Sequence, residues 1–105
     1  MKTIMVVDGE SGILEQVKSS LKEDDFEVVA VDSNRKAMEL IDEDKEDNFE
    51  LILIGTSMPD THKPAFFSMK PKSKKDIDTS RDEDFLQKPF TKEQLIDFVK
   101  KKTQD

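Results

Sequence analysis

Apolar positions along this chain fall into short clusters with two alternating spacings. Thr3-Ile4-Met5-Val6-Val7 is a compact apolar run that ends abruptly at Asp8-Gly9-Glu10, and Phe26-Glu27-Val28-Val29-Ala30-Val31 is a second. Between them, Ile13, Leu14, Val17 and Leu21 recur at helical spacing across Ser11 to Lys22, with Ser11 placed as the N-cap. Ser33 opens a second helical pattern whose buried side is Ala37, Met38, Leu40 and Ile41. A third apolar run, Leu51-Ile52-Leu53-Ile54, has no polar interruption; it stops at Gly55 and turns over at Met58-Pro59-Asp60. Such a run reads as a strand buried on both faces, the habit of a central parallel strand. The order strand, helix, strand, helix, strand with right-handed crossovers predicts an α/β domain, a parallel sheet with helices on both faces.

The C-terminal end is equally patterned. Asp84-Phe85-Leu86-Gln87-Lys88-Pro89-Phe90 reads as a short strand broken by proline, and Thr91 begins the best-marked helix. Thr91 and Gln94 form a capping box, with Phe90 and Leu95 at the two positions of a hydrophobic staple. Leu95, Phe98 and Val99 are its core side, and Lys100, Lys101 and Lys102 lie at the negative end of the helix dipole.

The middle of the chain allows two readings. Ala65-Phe66-Phe67-Ser68-Met69 lies between Pro64 and Pro71; it is either a fourth strand or a stunted helix replacing a missing strand-helix unit. A short aromatic run between prolines favours the strand. Lys70 to Asp84 holds one aliphatic residue, Ile77, among five basic and five acidic ones, so any helix there is expected to be short or frayed. The charged stretch from Asp42 to Asn48 reads as a solvated helix end and loop. His62, the single histidine, stands alone in a Thr-His-Lys-Pro turn and reads as a loop residue, not a ligand.

Length and charge narrow the partners. The 105 residues suit one domain with a modest core. A net charge of -7, from 24 acidic against 17 basic residues, disfavours nucleic acid or an anionic membrane as a partner. The chain has no cysteine for disulfides or thiolate zinc sites. Neither a signal peptide nor an apolar run near 18 residues is present, so a cytoplasmic location is expected.

Three motifs in order carry a family resemblance: Val6-Val7-Asp8-Gly9-Glu10 after strand one, Gly55-Thr56-Ser57-Met58-Pro59-Asp60 after strand three, and Phe85-Leu86-Gln87-Lys88-Pro89-Phe90 before the last helix. Over residues 1 to 60 and 82 to 103 the chain resembles a response-regulator receiver domain. The resemblance implies a flavodoxin-like (CheY-like) parallel sheet of strand order 2-1-3-4-5, here about 20 residues short in the middle and expected to lack helix three. It also implies a phosphorylation switch. In that family an aspartate at the end of strand three accepts a phosphoryl group, two acids after strand one help to hold magnesium, and a hydroxyl and a lysine bind the phosphoryl oxygens.

Matched position by position, about half of that apparatus is kept. Asp8 matches the first acid, but Gly9 stands at the second and Gly55 at the phosphoacceptor. Ser57 matches the position whose backbone carbonyl completes the metal site, Ser68 the switch hydroxyl, Lys88 the phosphate-binding lysine and Phe85 the aromatic that moves on activation. The family's peptide bond at the place of Lys88-Pro89 is usually cis. Asp8 alone is a poor magnesium site, because that ion requires hard oxygen ligands in near-octahedral geometry. Glycine has no nucleophile to phosphorylate. An ion pair of Asp8 with Lys88 is the expected remnant.

The expected function is therefore a phosphorylation-independent pseudo-receiver, a protein interaction module in two-component-type signalling, with no cofactor and no catalytic residue. With no output domain attached, its effect would pass through another protein or a second copy of itself. Loss of helix three would leave apolar side chains open around Phe66, Phe67 and Met69, the expected interaction surface. The alternatives are a receiver phosphorylated at Asp60 or Asp8, or a small flavodoxin-like binder of a nucleotide or anion, although no glycine-rich phosphate loop follows the first strand. An enzyme is not expected, since no motif pairs a nucleophile with a base.

Overall fold

The computed structural model describes residues 2–43, 48–57, 63–69 and 85–103. They form β1 (Thr3–Val7), α1 (Ser11–Glu23), β2 (Glu27–Val31), α2 (Asn34–Glu43), β3 (Phe49–Ser57), β4 (Pro64–Met69), β5 (Phe85–Gln87) and α3 (Lys92–Thr103). The strands make one five-stranded sheet in the order β2-β1-β3-β4-β5. Expectations for Asp60, for the lone His62 and for the 70–84 segment fall outside the described residues.

The sheet is mixed, which corrects the expectation of a parallel one. β1 pairs parallel with β2 and β3, but β4 runs antiparallel to both β3 and β5. Chain length is the physical reason. Only residues 58–63 separate β3 from β4, whereas a parallel crossover needs a dozen or more. Pro64–Met69 is the fourth strand, not a stunted helix. β5 reverses again and ends parallel to β3, so the carboxyl ends of β1, β3 and β5 share one edge of the sheet with the amino end of β4.

Side-chain alternation divides the core into two clusters. Ile4, Val6, Leu51, Leu53 and Phe66 face α1 and α3, where they pack with Val17, Leu21, Phe90, Leu95 and Val99. Met5, Val7, Val31 and Ile52 face α2 and pack with Ala37, with Leu40, Ile41, Ile54 and Met69 at the margin. On this second face α2 lies over β1 and β2. Among the described residues no helix packs broadly over β4 and β5 there. Met38, expected on the buried side of α2, is 56% exposed instead, because Ala37, Leu40 and Ile41 alone span the stripe that meets the sheet.

Local signals explain the helix ends. The capping box is formed: the Thr91 N–H donates to Gln94 Oε1 at 2.9 Å, and the Gln94 N–H donates to Thr91 Oγ1 at 3.1 Å. Phe90 and Leu95, the staple pair, belong to the same buried cluster. Ser33 caps α2 by accepting the Lys36 N–H at 3.2 Å. Ser11, expected to cap α1, is instead its first helical residue, and Glu10 stands at the cap without a side-chain hydrogen bond. After α1, Asp25 adopts a left-handed conformation with φ 66°, and the Phe26 N–H returns to the Leu21 carbonyl at 3.1 Å. This reversal places Phe26 in the core ahead of β2.

Candidate functional site at the carboxyl edge of the sheet

The β1–β3 ladder closes at the pair Val7 and Ile54, so Asp8 and Gly55 come level at the carboxyl edge. Asp8 continues the alternation of Ile4 and Val6 and therefore points to the α1 and α3 side. It is 7% exposed. Its backbone N–H donates to the Val31 carbonyl at 3.1 Å, and its Oδ1 accepts the Glu10 N–H at 2.9 Å. The remaining oxygen, Oδ2, meets Lys88 Nζ at 2.6 Å.

Lys88 reaches Asp8 from the connection between β5 and α3. Its N–H donates to the Pro64 carbonyl at 2.9 Å, which fixes its backbone against the start of β4. The Lys88-Pro89 peptide bond is cis, as the resemblance implied. The ammonium also lies 4.6 Å from the centre of the Phe66 ring, within the range of a cation–π contact. Phe66 is fully buried and stands 5.9 Å, centre to centre, from Phe90. Lys88 is thus enclosed by a carboxylate, an aromatic face and a proline carbonyl. A cavity of about 280 Å³ opens beside it, walled by Ile13, Pro64, Pro89 and Phe90 with Glu10 and Gln16 at its rim.

Gly55 sits opposite Phe66 in the β3–β4 ladder. A Cβ built on it would collide with Asp8 Oδ2, and would lie 3.0 Å from Asp8 Cγ and 3.2 Å from the Val7 carbonyl oxygen. The carboxylate of Asp8 therefore occupies the space that a side chain at position 55 would need. Around Gly9 the situation is the opposite, since a Cβ there would meet nothing within 4 Å.

The other residues singled out by sequence are placed differently. Ser68 is not at this edge. Because β4 is antiparallel, Ser68 pairs with Leu53, while Phe66 pairs with Gly55; the hydroxyl is displaced by two residues, roughly 7 Å, toward the amino edge. Ser57 is the last residue of β3 and pairs with Pro64, which closes the β3–β4 ladder. Phe85 lies on the opposite face of the sheet from Lys88 and stacks at 5.5 Å with Phe67. Phe66 cannot be part of an exposed surface, because neighbouring residues of a strand face opposite sides. It belongs to the α1 and α3 core, whereas Phe67, Met69 and Phe85 are half-buried on the other face. The same alternation could have separated Phe66 from Phe67 in the sequence, and it would have marked Phe66 as the floor beneath Lys88.

These residues do not fit a magnesium ion. One oxygen of Asp8 is held by an ammonium and the other by a backbone N–H, and Gly9 and Gly55 supply no ligand. Among the described residues, no three histidine or acidic side chains converge as a metal site would need, and no helix is long and apolar enough to cross a membrane. Comparison with protein-family models, with curated proteins and with solved structures found no match, so the geometry of this edge and the motifs of the chain carry the functional argument.

Proposed function

We propose that this chain is a flavodoxin-like pseudo-receiver that works without phosphorylation, as a protein interaction module in two-component-type signal transduction. The observation that carries this reading is Gly55. It matches the position where a receiver keeps its acceptor carboxylate, and the Asp8 carboxylate occupies the space that a side chain there would need. The strand order 2-1-3-4-5 and the lysine at the head of the last helix support the receiver part of the reading. The antiparallel β4 is a departure from the parallel sheet of that family.

Asp8 is poorly suited to replace the lost acceptor, since it is buried and both of its oxygens are engaged. In this reading the domain acts by contact with a protein surface, that of a separate protein or of a second copy of the chain. The apolar surface that favours this is the sheet face beyond α2, where Ile54, Phe67, Met69 and Phe85 are half-buried. Incubation with acetyl phosphate and magnesium, read by intact mass, tests the central point. An unchanged mass is expected. A stoichiometric gain of one phosphoryl group overturns the reading and moves attention to Asp60 or Asp8.

A further inference from the structure

Gly55 does more than lack a nucleophile. Asp8 has only two side-chain torsions, and its backbone is tied to β2 through the Val31 carbonyl. With a side chain at position 55, its carboxylate would have to swing away from the collision at Oδ2, and doing so would carry it away from Lys88. Lys88 is held as well, its backbone N–H donating to the Pro64 carbonyl and its ammonium lying over the Phe66 ring. We infer that Gly55 is the enabling residue of a standing clamp, in which the Asp8–Lys88 pair ties the end of β1 to the β5–α3 connection across β3 and β4. The lysine ammonium supplies the counter-charge that a buried carboxylate would otherwise take from a cation. The carboxyl edge is thereby held in a single arrangement that needs neither a metal ion nor a phosphoryl group, whichever protein the domain serves.

A double-mutant cycle on the full chain tests this through denaturant unfolding of the native protein, Gly55→Ala, Asp8→Ala and the double variant. A glycine-to-alanine change in a strand with free space should leave stability equal or improved. Here Gly55→Ala is expected to lower the folding equilibrium constant about tenfold or more, the usual scale of overpacking. In the Asp8→Ala background, the same change is expected to have an effect within about twofold, the scatter of uncoupled sites. An equal loss in both backgrounds overturns the inference and assigns the collision to the Val7 carbonyl. If a variant fails to fold, the Lys88 ammonium resonance of the native protein decides. A hydrogen-exchange-protected signal supports the clamp, and the lack of one overturns it.

Discussion

Asp8 and Lys88, separated by 80 positions in the chain, meet at 2.6 Å with their side chains only 6% and 13% exposed. A pair this enclosed behaves unlike a surface salt bridge. Desolvation of both charges offsets much of their attraction, so the net gain from forming the pair is small, while removing one partner leaves an uncompensated buried charge. Lys88→Met is therefore expected to destabilise the domain by about 3 kcal/mol. Replacing both residues, Asp8→Leu with Lys88→Met, should cost much less than the lysine change alone. Chemical denaturation of the three proteins checks this, and a double variant weaker than Lys88→Met would contradict it.

The two faces of β4 predict opposite outcomes for adjacent phenylalanines. Phe66 is fully buried between Phe90 and the Lys88 ammonium, so Phe66→Ala should cost about 3–5 kcal/mol. Phe67 is half-buried on the face beyond α2, and Phe67→Glu should leave the fold intact while abolishing self-association or partner capture. Circular dichroism with light scattering separates the two effects. A Phe67→Glu protein that still associates as the native chain does would move the interaction surface elsewhere.

Magnesium binding should be recoverable, but at the expense of the clamp. Gly9 has open space for a side chain, whereas an aspartate at position 55 must displace the Asp8 carboxylate. Gly55→Asp alone is expected to disturb the edge without creating a metal site. Gly9→Asp combined with Gly55→Asp assembles three carboxylates and is expected to bind magnesium measurably in a calorimetric or NMR titration. Failure of the double variant to bind would show that Lys88 keeps its hold on the acids.

The peripheral ion pairs give a pH signature with a definite sign. Lys36, hydrogen-bonded to Asp32, holds the Asp32 carboxyl below its ordinary range. A lowered native pKa contributes stability above the ordinary carboxylate range, and that contribution is lost as pH falls through the lowered value. Glu23, hydrogen-bonded to Lys92, raises the Lys92 ammonium, a contribution kept below the ordinary lysine range and lost as pH rises through the raised value. Both pairs are exposed, so the effects should be small and should fade with added salt. NMR titration of Asp32 in a Lys36→Gln variant should show its pKa return upward; no movement would remove the assigned cause.

Most of the architecture was legible because its signals are local. Apolar runs gave all five strands, and Thr91 with Gln94 announced the cap that the structure forms. The direction of β4 was less open to reading, since a receiver-like motif order suggests parallel strands while the six-residue connection before Pro64 forbids one. That short connection was the better guide. At the site, the pairing of Asp8 with Lys88 was foreseen, but the placement of Ser68 failed with the assumed direction of β4. The role of Phe66 was missed because alternation along β4 was not carried through to the two sheet faces. The collision at Gly55 could not be read at all, since it depends on the level at which β1 and β3 pair.

The antiparallel course of β4 has a practical consequence for where the chain can be handled. Met69 ends β4 level with Ile52, and Phe85 begins β5 level with Phe67 and Ile54. Asp8 and Gly55 come one step beyond Ile54, at the carboxyl edge. The end of β4 is therefore the point set further from the clamp, three ladder positions from Gly55, and the start of β5 is the nearer one. A fluorophore or affinity tag joined directly after Met69 enters the chain away from the Asp8–Lys88 pair, whereas one joined directly before Phe85 stands three residues from Lys88 in the sequence.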